Sequence, residues 1–142
     1  MNLSFVLHDL VRTLDREADR LLRGVGLSYP RFLAMVIVGE HPGLSGRELA
    51  GALGVSDPAV SGTVRALIES GLMQDGVRPG AGNVRRLALT AAGSSKVAES
   101  LELLGSGVDD AARRIGLDPQ QLAESLDRLH VAVSTPSAAV AR

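Results

Sequence analysis

Fourteen of the fifteen basic side chains in this chain are arginine, Lys96 being the exception. Arginine suits bidentate contact with phosphate or guanine, although a GC-rich genome produces the same bias. Between Pro58 and Thr90 the charges are Arg65, Arg78, Arg85 and Arg86 against Glu69 and Asp75, a mild local positive excess in a chain of net charge −1. What matters to a polyanion is the charge on the face that meets it, so the overall balance does not exclude one. Other chemistries lack their residues. With no cysteine there are no disulfides, thiolate metal sites, nucleophilic thiols or thiol redox switches. The three histidines, His8, His41 and His130, form no i, i+4 pair, so no transition-metal spacing is present. Gly80-Ala81-Gly82 is neither a Walker loop nor a dinucleotide fingerprint, no serine sits in a nucleophile elbow, and the carboxylates pattern as solvated helix faces. Neither an enzyme, a cofactor nor a metal is expected.

The elements that must carry those arginines follow from periodicity. The chain is 45% hydrophobic with only two Phe, one Tyr and no Trp, so its core must rest on Leu, Val and Ala. Leu3, Leu7, Leu10, Leu14, Ala18, Leu21 and Val25 form one stripe on a long first helix, ended by Gly24 and Gly26, which needs a partner to cover it. Ser28 caps a second helix with Pro30 in its first turn and Phe32, Leu33, Val36 and Ile37 inside. Ser45-Gly46-Arg47-Glu48 reads as a capping box opening a short helix to Leu53. Ser56 caps the next, with Asp57 at its positive end, Pro58 in its first turn and Val60, Val64, Leu67 and Ile68 buried. The period then changes. Leu72-Met73 and Val84 to Leu89 read as two strands around the turn-rich Arg78–Asn83, with Leu87 and Leu89 on one face and Arg86 on the other. Thr90 caps a long helix carrying Val97, Leu101, Leu104, Val108, Ala111 and Ile115, bent near Gly105 and Gly107. After Gly116-Leu117-Asp118-Pro119 a last helix carries Leu122, Leu126, Leu129 and Val133.

Two short helices, Ser45–Leu53 and Ser56–Ser70, joined through Gly54-Val55, have the dimensions of a helix-turn-helix. Ala50 must be small where the helices cross, Gly54 makes the turn, and Val55, Val60 and Val64 lock the second helix to the first. The second helix then presents Asp57, Ala59, Ser61, Gly62 and Arg65 near its start, the positions able to enter a major groove. The hairpin makes the unit winged, and Arg78, Arg85 or Arg86 would reach phosphate or minor groove from the wing. The competing reading is a winged helix that contacts only protein.

The whole order resembles the MarR family of bacterial transcription factors from about Leu3 to Val133. The resemblance rests on Leu27-Ser28-Tyr29-Pro30-Arg31-Phe32, Leu53-Gly54-Val55-Ser56, and Leu87-Ala88-Leu89-Thr90-Ala91-Ala92-Gly93 taken together. It implies a mainly α fold with a small β-wing: a winged helix-turn-helix lobe over residues 28–90, a helical dimerisation region over 1–27 and 91–135 built from the first helix and the fifth and sixth, and a frayed tail at 136–142. It implies a homodimer binding double-stranded DNA, with paired recognition helices one turn apart on a pseudo-palindrome. The expected DNA-binding residues are Ser45, Ser56, Asp57, Ala59, Ser61, Gly62, Arg65, Arg78, Asn83, Arg85 and Arg86. Members of the family usually carry Asp-x-Arg in the wing; counted back from Thr90, those places hold Ala81 and Asn83.

The resemblance also implies a small aromatic or phenolic ligand between the dimer helices and the DNA-binding lobe, near His8, Tyr29, Phe32 and Met35; ordinary packing is the plainer reading of those four. The implied function is repression relieved by that ligand, and the alternative is a dimeric protein-interaction module with weak or no specific DNA binding. The N-terminus has no basic segment followed by an unbroken apolar run, since Asp9, Arg12, Asp15 and Arg16 interrupt it. Neither signal peptide nor membrane span is expected, and the compartment expected is the cytoplasm.

Overall fold

The computed structural model describes residues 1–77 and 85–136, the side chains of Val77 and Arg85 excepted. The described chain runs α1 (Leu3–Leu22), a single 3-10 turn (Arg23–Val25), α2 (Tyr29–Glu40), α3 (Gly46–Leu53), α4 (Asp57–Glu69), β1 (Met73–Val77), β2 (Arg85–Leu89), α5 (Ala91–Leu104), α6 (Gly107–Arg114) and α7 (Pro119–Ser134). The mainly helical architecture with one small hairpin is the one expected from the sequence. Its contacts divide it into two compact units, Met1–Leu104 and Gly105–Arg142. No single described helix is long and apolar enough to cross a membrane.

Helix ends are set by local chemistry. Asn2 accepts from the Ser4 and Phe5 amides, Ser28 from Arg31, Ser45 from Glu48, Ser56 from Ala59, and Asp118 from Gln120 and Gln121. Each satisfies amides that the first helical turn leaves without a partner. Helix α3 stops at Gly54, whose φ of 66° is open to glycine and costly for a side chain. Val55 N–H then donates back to the Ala50 carbonyl at 3.1 Å, closing the turn. The same closure recurs where Leu27 bonds Leu22, Leu72 bonds Leu67 and Leu117 bonds Ala112.

Helix α2 is the centre of the first unit, touching α1, α3, α4, α5 and β2. The expected inner face of Phe32, Leu33, Val36 and Ile37 is corrected by its packing. Ala34, Met35 and Val38 are sealed with Phe32, while the other three are only half-buried. A helix apolar all round buries on every side that meets a neighbour. Leu22 likewise lies off the stripe read on α1 and is wholly buried, whereas Leu3 and Leu10 of that stripe stand exposed.

The hairpin is antiparallel, with Met73 opposite Leu89, Asp75 opposite Leu87 and Val77 opposite Arg85. A further bridge joins Leu44 to Leu87: Gly43 N–H donates to Leu87 O and Leu87 N–H to Leu44 O, both at 2.8 Å. A two-stranded ribbon is marginal alone, and this third segment ties it to the chain entering α3. Thr90 performs a comparable service for α5. Its hydroxyl donates to the Gly71 carbonyl at 2.6 Å and accepts from the Gly93 amide at 3.0 Å. A Cβ at position 93 would overlap the Leu72 carbonyl oxygen, so only glycine allows this helix start to meet the end of α4.

The region read as one bent helix after Thr90 is in fact two. Gly105 adopts φ of 57°, which breaks the hydrogen-bond ladder rather than bending it, and α6 begins afresh at Gly107. In α6, Asp109 and Asp110 lie in the first turn and Arg113 and Arg114 in the last, the order that complements the helix dipole, and Arg113 pairs with Asp110 at 3.1 Å.

Candidate nucleic-acid interface

Helices α3 and α4 pack at their crossing through Leu49, Ala50, Val60 and Leu67, each at most 3% exposed. Ala50, at 3% exposed, is part of the buried core. Val55 does not join this contact as expected. Its side chain is 46% exposed, because its place in the turn is held by its backbone amide and not by its isopropyl group. Val64 is half-buried beside the core.

With Val60 and Leu67 turned inward, α4 presents Asp57, Ala59, Ser61, Gly62 and Arg65 to solvent. These five expected residues share the exposed part of one helix. At Gly62 a Cβ would meet no atom within 4 Å, so the glycine answers no packing need of its own chain. Arg65 makes no hydrogen bond or ion pair among the described residues, leaving its donors available. Ser45 and Ser56 stand at the helix starts, their oxygens accepting from Glu48 N–H at 3.1 Å and Ala59 N–H at 3.3 Å. Their hydroxyl hydrogens stay available for an outside acceptor.

A cleft of about 460 Å³ opens between the start of α3, α4 and the hairpin, lined by Ser61, Val64, Arg65, Ile68 and Asp75 among others. One side of α4 is therefore recessed and partly apolar, and the other stands free.

The wing residues divide three ways. Arg78 and Asn83 lie outside the described residues. Arg85 is placed on β2 opposite Val77. The Arg86 side chain, expected to reach toward phosphate, instead turns inward: its Nη1 donates to the Gly43 carbonyl at 3.1 Å and lies 3.8 Å from Glu48 Oε1. An arginine on the strand face opposite buried Leu87 found a carbonyl and a carboxylate supplied by the segment entering α3, which strand alternation could not reveal. Arg47 was not singled out from sequence. It is exposed in the first turn of α3 without an ion pair among the described residues, and its place inside the capping box was the available signal.

Of the four residues expected around a ligand, Tyr29 packs against the core that holds Phe32 and Met35, and His8 lines an exposed depression on α1. Tyr29 is half-buried with its ring centroid 6.3 Å from that of Phe32. Its backbone amide donates to Asp19 Oδ1 at 2.6 Å, joining the start of α2 to α1. Burial, and secondarily the Asp15 carboxylate, push the Tyr29 phenol above its usual pKa, since both oppose its ionised form. Phe32 and Met35 are core residues, Met35 without any exposure. His8 is exposed in a shallow depression with Met1, Asn2, Phe5 and Arg12. Among the described residues no group of three or more His, Cys, Asp or Glu side chains could hold a metal ion.

A capped helix pair crossing at a small residue, followed by an antiparallel hairpin braced on the chain before it, defines a winged helix-turn-helix protein. The family model described as MarR family matches residues 27–74. The chain shares its fold with solved structures of that family. Among solved structures it is similar to a mutant MarR from E. coli complexed with operator DNA, at 18% identity over 94% of each chain with a TM-score of 0.80. It is similar to the transcriptional repressor CouR bound to a 23-mer DNA duplex, at 19% identity over 94% of this chain and 93% of that one, TM-score 0.81. A Mycobacterium tuberculosis MarR family protein in complex with p-aminosalicylic acid is 25% identical over 94% of this chain and 100% of its own, TM-score 0.67. No curated protein matches the chain.

Proposed function

We propose that this protein is a DNA-binding transcriptional regulator, a repressor that acts as a homodimer on a pseudo-palindromic operator in the cytoplasm. The observation that carries the reading is the exposed face of α4: Ser61, Gly62 and Arg65, which has no ion pair among the described residues, stand clear of a fold whose solved neighbours include two held on DNA. In this reading Arg65 reads a guanine edge, and Gly62 lets the helix backbone approach the groove closely. Ser45, Ser56 and Arg47 hold phosphate near the helix starts.

Dimerisation is supported by apolar side chains left uncovered. Leu3, Phe5, Leu10 and Val11 on α1 are 46–75% exposed, and Val131 and Val133 on α7 are 59% and 77% exposed. Exposed apolar surface of this extent marks an interaction site, and a second copy supplies the cover. The functional division is accordingly a winged lobe over 28–90 and dimerising helices over 1–27 and 91–135.

Relief by a small aromatic acid is the third part of the reading. It is supported by the M. tuberculosis relative solved with p-aminosalicylic acid and by Tyr29, a half-buried phenol tied to both α1 and α2. Within one protomer Phe32 backs that ring, and Tyr29 packs against the buried cluster that holds Phe32 and Met35.

The deciding experiment is fluorescence anisotropy of the purified protein on its own promoter and on a scrambled duplex, over a salt series. Preference for the promoter near physiological salt is the expected result. The absence of binding at any salt would instead favour a protein-recruiting module, the reading supported by a recognition face with one arginine and by Ala81 and Asn83 in the wing. An Arg65→Ala variant that keeps full activity would point the same way.

A further inference from the structure

The inward turn of Arg86 joins three segments through one guanidinium. Its own strand is β2. The Gly43 carbonyl it bonds at 3.1 Å belongs to the segment bridged to Leu87, and Glu48 Oε1, at 3.8 Å, belongs to the first turn of α3. That same Glu48 oxygen accepts from the Ser45 amide at 3.4 Å, so the carboxylate beside Arg86 is the one that closes the capping box. The Arg86 side chain is 34% exposed, and its Nε is sealed from solvent with no hydrogen-bond partner among the described residues. An unsatisfied buried N–H is a cost that an apolar side chain at this position would avoid. The bridge between Leu44 and Leu87 and the capping box already hold the segment by backbone and local bonds. What the guanidinium adds is a link from the wing strand to the start of α3, where Ser45 stands.

We propose that Arg86 is a positioning residue for DNA binding, acting through Gly43 and Glu48 to set the wing against the start of α3, and not a phosphate contact. The inference rests on the DNA-binding reading above. It assigns the wing's direct contacts to other residues and adds a side-chain clasp to the backbone bridge between the two DNA-facing elements.

The test compares the wild type with Arg86→Leu and Glu48→Gln on the promoter duplex over a salt series, below the melting temperature of each protein as followed by circular dichroism. Glutamine at position 48 keeps the capping box, because its amide oxygen can still accept from Ser45, and removes only the charge facing Arg86. Arg86→Leu is expected to weaken binding about tenfold while leaving the slope of log K against log salt unchanged; loss of a true phosphate contact lowers that slope by about one. Glu48→Gln is expected to show part of the same loss, and the double variant to bind no worse than Arg86→Leu, as partners in one clasp do. A salt slope reduced by about one in Arg86→Leu, additive losses in the double variant, or unchanged affinity in both single variants overturns the inference. Should Arg86→Leu fail to fold, Glu48→Gln with Arg86→Lys completes the cycle on the same criteria. A wild type that binds no duplex removes the DNA-binding reading and this inference together, whereas a binding wild type with indifferent variants removes the inference alone.

Discussion

Helices α4 and α7 are written with the same kind of apolar periodicity and meet opposite fates. On α4, Val60 and Leu67 are 2% and 1% exposed; on α7 no residue is buried, and Leu122 and Leu126 are 37% and 39% exposed. The difference lies in what each unit of the chain can supply. The first unit surrounds α4 with α2, α3 and β1, whereas among the described residues of the second unit α7 packs on α6 alone. A periodic stripe states that a face requires cover. It does not state whose atoms provide it.

The largest effect should come from Gly93→Ala in the well-packed unit. The added methyl has no space beside the Leu72 carbonyl, and a loss of at least about 3 kcal/mol, or failure to fold, is expected in denaturant titration. Leu67→Ala against Leu126→Ala then sets the two regions side by side. Leu67→Ala should cost about 2–5 kcal/mol at every protein concentration. Leu126→Ala should cost under about 0.5 kcal/mol in dilute protein and more as concentration rises, if the proposed dimer places a second copy over it. Equal and concentration-independent losses at both positions would break the comparison.

Smaller effects sharpen it within the helix-turn-helix. Ser45→Ala removes an N-cap and half of a capping box, and about 1 kcal/mol of stability should go with it. Gly62→Ala should raise stability by up to about 1 kcal/mol, since its Cβ meets open space in a helix interior; a weaker grip on DNA alongside that gain would show that the position serves approach to the groove. The smallest effect concerns pH. Burial holds the Tyr29 pKa above its usual value of about 10, so the fold favours the neutral phenol. That stabilisation is intact below about pH 10 and is lost as pH rises through the folded value. Tyr29→Phe should flatten the alkaline limb of a melting-temperature profile, and an unchanged limb would count against burial as the cause.

What could be read without the structure was whatever closes over three or four residues. Ser28, Ser45 and Ser56 cap helices as expected, Gly54 turns the chain, and Thr90 starts α5, because each of these bonds joins groups that neighbour one another along the chain. The hairpin and the exposed face of α4 followed from the same local rules, period two for one and period 3.6 for the other. Tertiary structure decided the rest. Leu22 and Met35 are sealed because several elements converge on them, Val55 is exposed because its amide and not its side chain closes the turn, and Gly93 is indispensable because a carbonyl from Leu72 occupies the space of its missing Cβ. Arg86 is the clearest case: strand alternation could place it off the buried face, but only the return of Gly43 and Glu48 to that face, 43 and 38 residues earlier in the chain, turned its charge inward. Short-range hydrogen bonds are dictated by neighbours in sequence; burial and charge pairing are dictated by neighbours in space.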